Sequence, residues 1–464
     1  MKKIKYYLWA LCLLGCRVQG TEMNSQIFFP GWDLLEAQQK EALKIQMEAF
    51  DVKEIERQRS VILESEVRTQ VLSVFNHYEV RGNLEDKEIG KKMLMDGKVG
   101  CLIVAGGQGS RLNYTKPKGL YPVTLVKKKC LFQLFAEKIL AAGKQVGRSL
   151  DVAIMTSSEN HEETLEAFKE NNYFGLSTDQ LFFFSQKDLP FLDSQGNLFL
   201  EKKDVFATGP DGNASSLKQF VASGIWDVWH KKGISYLNYM HIDNALADPF
   251  DSELTGFHSR NFSSDVIVKC IQRENPEEKL GVMFEEQEKV VVVEYSEISP
   301  EEKTARREDG GLKNACANIG LYSFSMNFIY DVANSYYDKF PFHKAWKSAK
   351  YLSVKGVSEK SEKPIAWKFE KFIFDVLPFA QNVKALLYPR NECFAPLKNA
   401  EGDDSLIFVQ KALQERDRKV FEEITGTVAP LTVFELDLEF YYPTLSLLEN
   451  WKGKTFPETS YISP

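Results

Sequence analysis

Leu102-Ile-Val-Ala-Gly-Gly-Gln-Gly-Ser-Arg-Leu112 carries an apolar strand straight into a glycine-rich turn, and Pro117-Lys118-Gly119 adds a second cation shortly afterwards. Gly106, Gly107 and Gly109 have no Cβ. The backbone that follows Val104 and Ala105 can therefore take positive φ and bring its N–H groups within reach of phosphate oxygens. Arg111 offers a planar fork to a departing pyrophosphate, and Lys118 sets a point charge against neighbouring phosphates. The turn stands at the carboxyl end of its strand, where open α/β sheets bind their ligands. It is neither a Walker loop nor a dinucleotide fingerprint, because it lacks the Gly-Lys-Ser/Thr ending and the G-x-G-x-x-G spacing. A glycine pair alone is an ordinary strand-to-helix turn; the full string with Arg111 and Lys118 points to a nucleoside triphosphate.

Outward from this turn, short apolar runs alternate with helical segments: Cys101–Ala105, Val152–Met155, Leu181–Phe184, Tyr236–Ile242 and Val266–Val268. Strands alternating with helices predict an α/β fold, a Rossmann-like, doubly wound and mostly parallel sheet. Upstream, Leu34, Leu35, Leu43, Met47, Ile55, Ile62 and Val67 recur at helical spacing in a stretch rich in Glu, Gln and Lys, which predicts amphipathic helices packed on the main domain. Beyond about Leu386 the mixed tail predicts a small C-terminal domain with some β structure. The expected organisation is a leader-like segment over 1–22, a helical region over 23–95, a catalytic domain over 96–385 and the small domain over 386–464.

Composition narrows the function classes. The chain has 464 residues, 44% of them apolar and 27% charged, which suits a folded protein of more than one domain. A net charge of -7 at pH 7 gives no basic footprint for nucleic acid or an anionic membrane surface, so any phosphate must be held by local groups. The seven cysteines are scattered, odd in number and without CxxC spacing, and read as reduced thiols. No stretch approaches the length of a membrane span.

Further strings follow in order. Phe182-Phe-Phe-Ser-Gln186 ends a strand on a glutamine, and Gly209-Pro-Asp-Gly-Asn213 is a turn. His241-Ile-Asp243 puts an aspartate at the end of an apolar strand, a good magnesium ligand because Mg²⁺ takes one or two carboxylates and leaves its other positions to phosphates and water. Val290-Val-Val-Val-Glu294-Tyr295-Ser-Glu-Ile-Ser299, Asn314-Ala-Cys-Ala-Asn318-Ile319, Trp367-Lys368-Phe-Glu-Lys-Phe-Ile-Phe-Asp375 and Pro396-Leu-Lys-Asn-Ala400 complete the set. Together with the glycine turn, these strings resemble the signatures of the sugar nucleotidyltransferase superfamily, and within it the UDP-N-acetylglucosamine pyrophosphorylases and their UDP-sugar pyrophosphorylase relatives, over roughly Val99 to Ala400.

The resemblance implies a UTP-dependent uridylyltransferase acting on a sugar 1-phosphate, N-acetylglucosamine 1-phosphate first, with Mg²⁺ as cofactor. It implies that Gln186 and the Gly212 backbone read uracil, with Val104, Ala105, Gly106, Gly107, Lys118 and Asp243 completing the UTP site. It further implies that Asn213, Glu294, Tyr295, Asn318 and Lys368 hold the sugar phosphate. On the same resemblance Arg111, Lys118 and Lys368 are expected to be the catalytic cations and Asp243 the metal ligand; Pro396–Ala400 carries no assigned role. Departures cluster near the sugar: Ala214 and Ser215 follow Asn213 where the family has glycines, Ala315 and Ala317 replace Asn and Gly, and Asn113 replaces a Gly after Arg-Leu. The same chemistry on glucose 1-phosphate is therefore the second reading. The expected partners are these small molecules, with no nucleic acid, and the expected state is a monomer or weak homo-oligomer. Leu13-Leu14-Gly15-Cys16 after Lys2, Lys3 and Lys5 resembles a lipobox, so a third reading is an exported, non-catalytic lipoprotein. Because UTP and sugar phosphates are cytoplasmic metabolites, the expected location is the cytoplasm, with Met23 as the working start.

Overall fold

Val99–Val104 is buried along its whole length, as a strand covered on both faces requires. In the computed structural model, which describes residues 35–63, 71–353 and 355–464, it sits inside a large mixed sheet. The leader-like segment, Met23, and Leu34 and Val67 of the expected helical stretch lie outside the described residues. The strands along the main path are β1 (Tyr78–Val80), β2 (Val99–Val104), β3 (Val152–Thr156), β4 (Leu181–Ser185), β5 (Tyr236–His241), β6 (Val266–Gln272), β7 (Cys316–Ser325) and β8 (Lys384–Tyr388). Their order is β1-β8-β6-β7-β5-β2-β3-β4. Only β7 runs against its path neighbours; the β5-β2-β3-β4 block and the β6-β8-β1 block are parallel. The chain thus forms the mostly parallel α/β sheet that the alternating pattern predicts.

Register decides where a site can form. Val104 lies opposite both His241 and Met155, and Thr156 lies opposite Ser185, so β5, β2, β3 and β4 end in one row. The chain leaves β2 toward β3 and β4 on one side while β5 adds on the other, which opens a crevice between β2 and β5 at their carboxyl ends. The residues next beyond that row are Gly106, Gln186 and Asp243.

The N-terminal stretch supplies helices α1 (Ala37–Ala49), α2 (Val52–Leu63) and α3 (Leu84–Met95), with the edge strand β1 between α2 and α3. Leu43, Met47 and Ile55 of α1 and α2 pack on Leu189, Leu192, Phe206, Phe342 and Phe369, the segments that flank the crevice. Helix α3 crosses helix Ser252–Arg260 so closely that a Cβ on Gly256 would stand 1.7 Å from Asp86 O, and Arg260 Nε locks the crossing onto Asp86 Oδ1 at 2.8 Å. At the other end, β8 is an inner strand, and the division expected between 385 and 386 falls within it. The tail beyond it builds its own apolar cluster around Phe421, Phe434, Trp451 and Ile462, with Glu435–Leu436 paired to Tyr461–Ile462. Glu435 ties this cluster back to the main body by accepting from Val126 N (3.0 Å) and Lys127 N (2.9 Å). The described cysteines are all free thiols.

Candidate active site

The turn after β2 is held from two sides. Asn160 donates to Ala105 O (2.9 Å) and Gly107 O (3.4 Å), while Lys118 N donates to Gly107 O (3.2 Å) and Gly109 N to Lys116 O (3.3 Å). The Pro117-Lys118-Gly119 string is therefore pinned against the glycine turn by main-chain bonds, which fixes where Lys118 emerges. Asn113 stands in the left-handed region at φ +54°, as its place in the string requires. A Cβ on Gly106 would meet Gln186 Nε2 at 2.9 Å, so this glycine lets the end of β4 approach the end of β2.

Opposite, β5 delivers Asp243. Lys118 Nζ lies 3.4 Å from Asp243 Oδ2. Burial alone would raise this carboxyl, but Lys118, His241 and Lys398 outweigh it and hold the group below the usual carboxylate range. Burial lowers the His241 imidazole below its ordinary range, and Lys398 and Lys118 push the same way against Asp243. Asn213 Nδ2 approaches His241 Nε2 at 3.3 Å, and its Oδ1 accepts from Ile373 N at 2.7 Å, which fixes the amide across the crevice. The loop after Asp243 is braced from behind: buried Lys138 donates to Ala245 O (2.8 Å) and Ala247 O (2.7 Å), and Asn244 bonds Cys393 O and Ala395 N.

The third wall is a small sheet in which His343–Lys347 pairs with Ala366–Glu370. It carries Lys368, whose Nζ is 3.0 Å from Glu370 Oε1. The whole arrangement encloses an open cleft of about 810 Å³. Val104, Gly106, Gly107, Arg111, Lys118, Gln186, Gly212, Asn213, Asp243 and Lys368 all border it.

The sequence profile of the UTP–glucose-1-phosphate uridylyltransferase family matches residues 48–444. This chain belongs to that family. A probable UDP-N-acetylglucosamine pyrophosphorylase of Dictyostelium discoideum is 32% identical over 409 residues, 83% of this chain and 84% of that protein. The UDP-N-acetylglucosamine pyrophosphorylase of Saccharomyces cerevisiae is 30% identical over 383 residues, 81% of this chain and 80% of that protein. Among solved structures, a putative UDP-N-acetylglucosamine pyrophosphorylase from Entamoeba histolytica superposes with a TM-score of 0.75 at 27% identity, covering 85% of this chain and 99% of that one.

Four of the residues that the uridylyltransferase resemblance singled out do not border the cleft. Ala105 is buried, its N–H donating to Met155 O (2.7 Å) and its carbonyl taken by Asn160, so neither main-chain group faces a ligand. Asn318 Oδ1 accepts from Tyr322 OH (2.8 Å) and Gly320 N (3.3 Å), one layer behind His241. Glu294 and its neighbour Tyr295 follow the valine strand and stay half-buried. Burial and Glu297 raise the Glu294 carboxyl against the pull of His343 and Lys398.

Three groups of this uridylyltransferase were not read from the sequence. Lys398, from the string left without a role, lines the cleft and acts on both Asp243 and Glu294; Leu397 N donates to Asp243 O (2.8 Å), which delivers the side chain there. His343 bonds Asp375 at 3.0 and 3.1 Å, and Asp375 in turn accepts from Phe372 N (2.9 Å). Burial would lower the His343 imidazole, but Asp375 raises it, so this pair pins the sheet of Lys368 to the core. A basic residue beside Pro396-Leu was a visible signal for Lys398; the His343–Asp375 pair joins distant segments and left none.

Proposed function

We propose that this chain transfers UMP from UTP to N-acetylglucosamine 1-phosphate, forming UDP-N-acetylglucosamine and pyrophosphate. One observation carries the proposal: the glycine turn, Lys118, Asp243, Gln186, the Gly212 turn and Lys368 border one cleft large enough for a nucleotide and a sugar. The pyrophosphorylase names of the Dictyostelium and yeast relatives supply the sugar.

A sugar-phosphate oxygen attacks the α-phosphorus of UTP in line, a new P–O bond forms, and the bond to pyrophosphate breaks on the opposite side. Both reactants are anions, so the protein's tasks are orientation and charge neutralisation. Lys118 and Arg111 face the triphosphate, and Arg111 pairs with no carboxylate among the described residues. Lys368 holds the attacking phosphate next to the α-phosphorus, exchanging its Glu370 contact for substrate oxygens. Gln186 and the Gly212 backbone present fixed hydrogen-bonding groups to uracil, which rejects a base with a mismatched edge. Asn213, held in place by His241 and Ile373 N, faces the sugar, and Glu294 and Asn318 shape the wall behind it.

Magnesium fits the residues present. Asp243 is an ionised carboxylate facing the glycine turn and Lys118, and Mg²⁺ needs only one or two such ligands when a triphosphate provides the others; the described residues contain no cluster of three or more candidate ligands. Bound there, the ion would withdraw charge from the phosphate oxygens.

Glucose 1-phosphate is the alternative acceptor, favoured by the family description itself; Ala214 and Ala317 are packed in the apolar core and do not border the cleft. Pyrophosphate release from UTP with a panel of sugar 1-phosphates tests the choice. N-acetylglucosamine 1-phosphate should give the highest kcat/KM; preference for glucose 1-phosphate would replace it, and no release with any sugar would reject the enzyme. We assign the reaction to the cytoplasm, where its substrates are made; among the described residues no helix is long and apolar enough to cross a membrane.

A further inference from the structure

Lys371 lies three residues beyond Lys368 and works in the opposite direction. Its main chain clamps the base-reading turn: Lys371 N donates to Asp211 O (2.9 Å) and Ala214 N donates to Lys371 O (3.1 Å). Between those bonds sits Gly212 at φ +96°, so close that a Cβ there would stand 2.3 Å from Lys371 O and 2.7 Å from Lys371 N. The side chain, fully buried, leaves the cleft altogether. Its ammonium passes 4.3 Å from the Tyr337 ring centre and 4.7 Å from that of Phe342, and ends 2.6 Å from Glu54 Oε1. Glu54 belongs to α2. Tyr337 also donates to Asp211 Oδ2 (3.0 Å), the residue just before Gly212.

An ion pair whose ammonium is fully buried and whose carboxylate is half-buried is a costly way merely to attach a helix, because desolvation of the ammonium offsets much of the attraction. Attachment is already provided by the apolar contacts of Leu43, Met47 and Ile55. What the pair adds is direction. It ties one point of α2 to the segment that both clamps the Gly212 turn and carries Lys368. Burial lowers the Lys371 ammonium while Glu54 raises it, and burial lifts the Asp211 carboxyl to about 7. Asp211 Oδ1 is buried and unbonded. Were Glu54 removed, Lys371 would turn toward Asp211 as the remaining buried carboxylate beside it, disturbing the Tyr337 bond and the turn.

We propose that Glu54 is a positioning residue for the nucleotide site, holding the Asp211–Asn213 turn in register with the Lys368 strand through Lys371. The N-terminal helix pair is then part of the nucleotide site. This rests on the uridylyltransferase reading above.

The test compares wild type with Glu54→Ala, Glu54→Gln and Glu54→Asp at a temperature where circular dichroism shows each to be folded. For Glu54→Ala, KM for UTP should rise about tenfold, the scale of coupling through packed networks. KM for the sugar phosphate should rise less than KM for UTP, kcat should fall less than KM for UTP rises, and the preference for UTP over CTP should weaken. Glu54→Asp should restore most of the loss. A lowered melting temperature with unchanged UTP KM and base preference would mean a purely structural role and overturn the proposal. If Glu54→Ala does not fold, Glu54→Gln, which keeps an oxygen toward Lys371 without the charge, decides: an intermediate rise supports the proposal and no rise overturns it. A wild-type protein without uridylyltransferase activity would sink the enzymatic reading alone. Calorimetric UTP binding would then still judge Glu54, with weaker binding by the variant supporting it and equal binding overturning it.

Discussion

Gly212→Ala adds one methyl group where the structure has no room for it. Two costs can be worked out. A non-glycine residue held at φ +96° is strained by about 1–3 kcal/mol. The new Cβ would also stand 2.3 Å from a main-chain oxygen that cannot swing aside like a side-chain tip, and forced overpacking of this kind costs a further ~1–3 kcal/mol. The sum appears in one of two measurements. If the turn holds its position, the urea midpoint falls by the equivalent of about 2–6 kcal/mol. If the turn moves off Lys371, its backbone no longer meets the base, and KM for UTP rises by about tenfold for each 1.4 kcal/mol lost. Initial rates of pyrophosphate release at saturating sugar phosphate, run beside urea unfolding, read both. Wild-type values in both assays would refute the tight clamp and, with it, the role assigned to the Gly212 backbone.

Lys368→Ala should lower kcat by about 10²–10³-fold, the range for an oriented charge at a reacting centre, while calorimetry finds UTP affinity within about threefold of wild type. Asp243→Asn keeps the shape and removes the charge; turnover should fall at least about 100-fold, and UTP affinity should lose most of its dependence on magnesium concentration. Asp417 gives a pH prediction. Burial pushes its carboxyl up to about 8, outweighing the hydrogen bond from Tyr441 OH. The folded chain therefore keeps a proton that the unfolded chain loses from about pH 4 upward, so stability declines as pH rises from about 4 to 8. Asp211, lifted to about 7, adds to the decline, while Lys138, lowered to about 7 by burial, makes stability rise with pH above that point. Melting temperatures across pH 5 to 8 should fall less steeply in Asp417→Asn than in wild type.

The readable part of the site was the part written in contiguous residues. A strand that breaks into Gly106-Gly107-Gln-Gly109 states both its ending and its glycine requirement, and Asp243 follows an apolar run that could only be a strand. Register then does what spacing cannot: the pairing of Val104 with His241 brings the two strand ends together across more than a hundred residues of chain. Glu294 and Asn318 were read from the same kind of string, yet both stand behind the cleft, because what decides reach is the packing of His343, Tyr322 and Gly320 between elements. Ala105 faces the sheet because its own N–H and carbonyl complete bonds to β3 and Asn160. The helical spacing of the N-terminal stretch is real in α1, α2 and α3, but it hides β1, whose Tyr78–Val80 is a strand only because Ala385–Leu387 lies beside it. The pairs Lys371–Glu54 and His343–Asp375 are likewise tertiary facts. Each half looks like an ordinary surface charge until the chain folds.

The claim beneath all of this is that a single UTP spans the glycine turn, Lys118, Asp243 and the Gly212 turn, with its α-phosphate open toward Lys368. A crystal structure of the protein with UTP and magnesium measures that directly. The account predicts uracil between Gln186 and Gly212, the phosphates along the Gly106–Gly107 backbone and Lys118, and metal density on Asp243. A nucleotide bound elsewhere, or one in the cleft with its phosphates turned away from Lys118 and Asp243, would contradict it.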